Sequence, residues 1–166
     1  DWTRPLGEGR GRGISLQESF GSIVAQVVEV TVSNGKTWVD RVVSVIDAGY
    51  AVSPDGTKAQ IESGVIYGLS AAMYGEITIE NGAVAKSSFS DYDAIRMHDS
   101  PVMETHIINS GEEIGGAGEP GTPGVAPALA NAIFDATGKR IRTLPIMNAG
   151  LRSDSEATPA VAALGA

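Results

Sequence analysis

Ile23-Val24-Ala25-Gln26-Val27-Val28-Glu29-Val30-Thr31-Val32, then Asn34-Gly35, then Trp38-Val39-Asp40-Arg41-Val42-Val43-Ser44-Val45-Ile46-Asp47: two long runs rich in β-branched residues flank a dipeptide that tolerates positive φ at both positions. The pattern predicts two long strands paired antiparallel across a tight hairpin.

Downstream, Ser53-Pro54-Asp55 supplies an N-cap and a first-turn proline for a helix running to about Tyr74, with Ile61, Val65, Leu69 and Met73 four apart on one face. Gly64, Gly68, Ala71 and Ala72 lower its intrinsic helicity, but their small size lets a neighbouring backbone come close. Residues 75–84 read as a short strand, an Asn81-Gly82 turn and the start of another strand, and Glu104 to Asn109 as a further strand. A second helix is expected from Thr122-Pro123, as cap and first-turn proline, to about Thr137. Its apolar stripe is Val125, Leu129, Ala132, Ile133 and Ala136, and Gly138 followed by Lys139 and Arg140 stops it.

Upstream, residues 1–13 read as a linker, because Gly7, Gly9, Gly11 and Gly13 alternate with charged residues and supply no apolar face. Beyond Pro145 the chain turns rich in Ala, Ser and Thr, and residues 147–166 are expected to form a disordered tail. The order β-β-α-β-β-β-α predicts an α+β fold with a mixed, mainly antiparallel sheet and two principal helices, over residues 14–146. The chain contains no internal repeat.

Composition narrows the chemistry. The 166 residues suffice for one ordinary core. Twenty acidic against twelve basic residues, a net charge of −8, disfavour nucleic acid and anionic lipid as partners. With no cysteine, the chain cannot itself hold disulfides, thiolate-bound zinc or iron–sulfur clusters. No run approaches the roughly eighteen apolar residues of a membrane span. The chain opens on Asp1-Trp2 without an initiator Met, reads as cut from a longer one, and leaves localisation open. Gly supplies 21 residues, well above the average share of about 7%, and the excess gathers in two segments.

The second of these, Gly115-Gly116-Ala117-Gly118-Glu119-Pro120-Gly121, contains a formal GxGxxG. A dinucleotide site is disfavoured there, because the preceding strand ends too early for a tight strand-to-helix turn and Pro120 and Pro123 remove backbone donors. Glu119 carries two readings from its chemistry alone: a carboxylate capping the following helix, or a catalytic group. His98 and His106 are eight apart in different elements and lack metal-ligand spacing. Ser15, Ser19 and Ser22 lack the GxSxG context of a hydrolase nucleophile.

Several segments together resemble the C-terminal part of molybdenum hydroxylase large subunits, of the xanthine dehydrogenase and aldehyde oxidase family. They are Gly9-Arg10-Gly11-Arg12-Gly13-Ile14, Glu18-Ser19-Phe20-Gly21, Asp47-Ala48-Gly49, Val52-Ser53-Pro54-Asp55-Gly56, Gln60-Ile61-Glu62-Ser63-Gly64 and Gly115 to Pro123. Pro120 and Thr122-Pro123 are most similar to the branch of isoquinoline oxidoreductase and membrane-bound aldehyde dehydrogenase. The resemblance implies a molybdenum–pterin cofactor, in bacteria often with an attached cytosine nucleotide, held together with the remainder of the large subunit, and a small subunit carrying iron–sulfur clusters. It implies hydroxylation of an aldehyde or an N-heterocycle with water, Glu119 as the base, and Gln60 near the pterin. Gly116, Ala117 and Gly118 would let backbone approach the metal centre, and no side chain of this piece is implied as a metal ligand. Ser63 stands where the family pattern has glycine. This piece alone would be inactive. The competing reading is a non-catalytic binding or interaction domain that keeps the fold, which an upstream coding sequence lacking the other cofactor-binding domains would favour.

Overall fold

Asn34 and Gly35 adopt φ of 51° and 74°, the paired left-handed geometry that matches the twist of two antiparallel strands. They join β2 (Ser22–Ser33) to β3 (Lys36–Asp47) in the expected hairpin. The computed structural model describes residues 2–151. Ahead of β2 lies β1 (Arg10–Ser19), and after β3 come α1 (Pro54–Tyr74), the short β4 (Ile79–Glu80) and β5 (Ala83–Val84), β6 (Val102–Ile108) and α2 (Val125–Thr137). The main sheet has the order β1-β2-β3-β6, with β1, β2 and β3 antiparallel neighbours and β6 parallel to β3. β4 and β5 form a separate two-stranded ribbon.

β1 corrects the sequence reading, since it starts at Arg10, inside the stretch expected to be linker. The physical reason is α2. A Cβ on Gly11 would lie 2.2 Å from the Ala132 carbonyl oxygen, and one on Gly13 would lie 2.1 Å from that of Ala128. The helix therefore rests on bare strand backbone, and a strand whose inward positions are glycine shows no apolar alternation. Its connection to β2 is also unusual: Phe20, at φ 55°, occupies the turn position where Asn stands in the other hairpins, with Gly21 at φ 72°.

Both helices cover one face of the sheet. Val28, Val30, Val39 and Val42 from the strands meet Val65, Leu69 and Met73 of α1 and Val125, Leu129 and Ile133 of α2. A smaller cluster of Val24, Ile46, Ala48 and Ile61 closes the end nearer the site. Each large side chain removed fully from water contributes about 1.5–3 kcal/mol before chain entropy is set against it. The opposite face carries charged pairs such as Arg12–Glu29 at 2.9 Å and exposed Ile14, Leu16 and Ile23.

α1 begins and ends as the sequence predicts, with Ser53 as N-cap and Pro54 in the first turn. α2 begins at Val125, with Gly124 rather than Thr122 as N-cap, because Thr122 and Pro123 are taken up in the preceding turn. Gly138, at φ 72°, ends it by donating its N–H to the Phe134 carbonyl at 2.7 Å. The segment after Pro145 is ordered as far as it is described: Ile146–Ala149 form a 3₁₀ turn, and Ile146 and Leu151 are buried in the main core. Residues 152–166 of the expected tail lie outside the described residues. No helix among the described residues is long and apolar enough to cross a membrane.

Candidate active site

Between β6 and α2 the chain crosses the end of the sheet as an irregular loop, and other elements bind its backbone at close intervals. Gly115 donates its N–H to the Ala48 carbonyl (3.1 Å), and Gly116 donates to that of Phe20 (2.8 Å). In return, side chains of the β1–β2 hairpin donate to loop carbonyls: Ser22 Oγ to Gly116 (2.7 Å), Gln17 Nε2 to Pro120 (2.5 Å), Gln26 Nε2 to Gly121 (2.8 Å) and Ser15 Oγ to Gly124 (2.7 Å). On its other side the loop lies against α1. A Cβ on Gly64 would sit 3.1 Å from the Gly121 backbone, and one on Gly68 would sit 2.7 Å from the Thr122 carbonyl oxygen. The close backbone approach expected of those small helical residues is realised here.

Asp47, at the end of β3, steadies the neighbouring turn. Its Oδ1 accepts from the Gly49 N–H (3.0 Å) and from Ser110 Oγ (2.9 Å). These bonds, that from Gly49 first, hold its carboxyl below the ordinary range.

Glu119 projects from this loop and is exposed. α2 starts only at Val125, after an intervening turn, so Glu119 is not the helix cap that its chemistry alone allowed. It makes no side-chain hydrogen bond or ion pair among the described residues. It lines a cleft of about 530 Å³ together with Phe20, Ser63, Tyr67, Gly118 and Thr122. Gln60, exposed on α1, stands beside the cleft, its Nε2 lying 3.9 Å from where a Cβ on Gly118 would be.

The other proposed contacts divide. Gly118 has no neighbour closer than Gln60, so its bare side is open. A Cβ on Gly116 would instead meet the Phe20 Cβ at 3.0 Å, and Ala117 packs against the smaller core cluster. Gly116, although exposed, and Ala117 thus have packing neighbours within the chain, while Gln60, Gly118 and Glu119 are exposed and lie close together. Ser63, in place of the expected glycine, is exposed in the cleft and disturbs no packing. Phe20 and Tyr67 were not evident from sequence: one sits in an unforeseen turn, and the other on the polar side of the α1 stripe. Gln26 left a signal, as a polar residue at an inward position of a strand that otherwise buries Val24, Val28 and Val30.

The sequence profile of the molybdopterin cofactor-binding domain family matches residues 8–101. The chain belongs to that family. This molybdopterin-binding domain is 40% identical over 123 residues to the membrane-bound aldehyde dehydrogenase [pyrroloquinoline-quinone] of Gluconacetobacter polyoxogenes, covering 74% of this chain and 16% of that protein. It is 32% identical over 151 residues to the isoquinoline 1-oxidoreductase subunit beta of Brevundimonas diminuta, covering 88% of this chain and 19% of that one. The fold is shared with quinoline 2-oxidoreductase from Pseudomonas putida 86, at a TM-score of 0.65 and 23% identity over 75% of this chain and 17% of that structure. The domain therefore spans less than a fifth of the length of these relatives.

The exposed groups suit a pterin. Gln60 offers both a donor and an acceptor, the two faces of an amide that a pterin edge requires, and its side chain has no protein partner among the described residues. Gly118 leaves room for a ligand to reach the backbone. No group of three or more His, Asp or Glu among the described residues is arranged to hold a metal ion.

Proposed function

We propose that this domain supplies the proton-accepting wall of a molybdenum–pterin active site in an oxidoreductase that hydroxylates an aldehyde or an N-heterocycle with water. The observation that carries the proposal is Glu119, a carboxylate without a partner among the described residues, displayed on a backbone-anchored loop beside Gln60 and Gly118 in a molybdopterin-binding domain. Bound there, the cofactor would supply the metal that activates water and takes up the two electrons of the oxidation. Gln60 would hold a polar edge of the pterin. Glu119 would take the proton of the attacking water at a carboxylate oxygen, and the ring faces of Phe20 and Tyr67 would exclude bulk water and flank a flat substrate.

The relatives' names, an aldehyde dehydrogenase and an isoquinoline oxidoreductase subunit, support the two substrate classes. The cofactor in its cytosine dinucleotide form, the remainder of the large subunit and an iron–sulfur small subunit complete the proposed assembly. These 166 residues contain no cysteine, so any iron–sulfur cluster of the assembly would be held elsewhere.

In the full-length enzyme, Glu119→Gln keeps the shape and removes the base. Turnover is expected to fall ~10²–10⁴-fold, as for other lost general bases, with molybdenum content and thermal midpoint close to wild type. Near-normal turnover per bound molybdenum would refute the assignment.

A further inference from the structure

We propose that Gln17 and Gln26 are positioning residues for Glu119, acting through the backbone on which it is mounted; the proposal rests on the reading of Glu119 as the base. The inward face of the β1–β2 hairpin changes character along its length. Under α2 it is Gly11, Gly13, Val28 and Val30, and toward the loop Ser15, Gln17, Ser22 and Gln26 surround Val24. Polar side chains on a buried strand face destabilise unless they are paired, and these four are paired with carbonyls of a single segment, residues 116–124.

The pairing is densest at the carboxylate. The carbonyl of Glu119 accepts from Thr122 N–H at 2.9 Å, that of Pro120 from Gln17, and that of Gly121 from Gln26. Each of the three peptide units that follow Glu119 is held by a hydrogen bond, which ties down the backbone on its C-terminal side. Gln26 is wholly buried, its Nε2 also reaches Ser44 Oγ at 3.4 Å, and its Oε1 has no partner among the described residues. Rotating the amide by 180° would set that oxygen against the Gly121 carbonyl oxygen, so the orientation is determined by the loop. A leucine of similar volume would remove the unpaired Oε1 but take the donor away from the buried Gly121 carbonyl, so it is the loop that the amide satisfies. The retained amide serves the loop's position, and a catalytic group displaced by about 1 Å can lose ~10²-fold in rate.

The test uses the full-length enzyme with its partner subunit. Gln17→Leu, at a partly buried position on the edge strand, removes one donor and nearly preserves volume; Gln26→Leu is the second variant. For Gln17→Leu we expect kcat to fall on the order of 10–100-fold, with KM changed less than about twofold and molybdenum content unchanged. Amide hydrogen exchange should accelerate in peptides covering 115–121 and stay at the wild-type rate in β2 and β3. In a Glu119→Gln background the same change should lower the residual turnover no further, since there is no longer a base to misplace. The proposal is overturned if Gln17→Leu turns over normally while Glu119→Gln is inactive, if exchange in 115–121 is unaltered, or if the two losses multiply. Normal turnover in Glu119→Gln itself marks the different failure, that of the general-base reading. If Gln26→Leu does not fold, Gln17→Leu alone decides.

Discussion

Asp47 and Asp40 show how differently one kind of side chain can be used in this domain. Asp47 is held ionised by the Gly49 N–H and the Ser110 hydroxyl, which lower its pKa. A lowered folded-state pKa adds stability that is fully present above the unfolded value near 3.9 and is lost as pH falls through the folded value. We therefore expect Asp47→Ala to unfold at lower denaturant concentration than wild type at pH 7, and the gap between the two midpoints to narrow as pH is lowered through the carboxylate range, as chemical denaturation across a pH series would show. Asp40 runs the other way. Burial, the largest influence, raises its carboxyl despite bonds from Thr31 and Arg10, so its ionisation works against folding as pH rises through the carboxylate range. At this scale the candidate residues Gln60, Gly118 and Glu119 were named from the pattern the sequence shares with a family, and the structure sets them close together on its surface. Gln17 and Gln26 were not, because their meaning lies in a loop about a hundred positions away, and only the break in the inward alternation of β2 hinted at them.

At the scale of elements, α2 on β1 is the contact with least tolerance. Gly13→Ala would place its methyl carbon 2.1 Å from the Ala128 carbonyl oxygen and 2.3 Å from the Ala132 nitrogen. Both are backbone atoms of a continuous helix and cannot rotate aside. Overpacking of this kind costs about 1–3 kcal/mol, so a thermal midpoint several degrees lower is expected, with the helix content of the folded protein retained in circular dichroism. Gly7→Ala is the control from the same glycine series: its Cβ would meet nothing within 4 Å, although its φ of 98° adds backbone strain of its own. The β2–β3 hairpin and both helices could be read from sequence because their signals are local: β-branched composition, an Asn-Gly turn and apolar spacing. β1 could not, since its inward glycines are explained only by the helix lying on them, and its turn puts Phe where Asn is usual. The start of α2 was misplaced by a similar override, with a good cap in Thr122 spent on the turn that carries the site.

For the molecule as a whole, the proposed ligand surface is one wall of an open cleft. A cofactor site normally buries 70–90% or more of its ligand, and here a few exposed residues, Gly118 and Glu119 with Gln60 beside them, face a cleft that is open on one side. We expect residues 1–166, purified alone after expression in cells that make the cofactor, to fold cooperatively yet carry far less than one molybdenum per chain by elemental analysis. Stoichiometric molybdenum would mean that the domain is self-sufficient. Much of the architecture was legible, including the mainly antiparallel sheet and the two helices. The side of the sheet on which those helices lie was not, because it depends on packing between elements distant in the chain.

A segment gripped by its carbonyl oxygens is indifferent to most of the side chains it carries. The four donors of the hairpin read peptide groups, so exposed positions such as Glu113 and Ile114 are free to diverge while the route of the chain stays the same. Residues 111–124 are then expected to be exchangeable as a unit, with Asn109 and Ser110 kept for the bonds their side chains make to Ala51 and Asp47. Relatives acting on different substrates could trade this segment, and a library built at its exposed positions would vary what the cleft recognises without moving Glu119, provided that Ser15, Gln17, Ser22 and Gln26 are kept in the receiving hairpin.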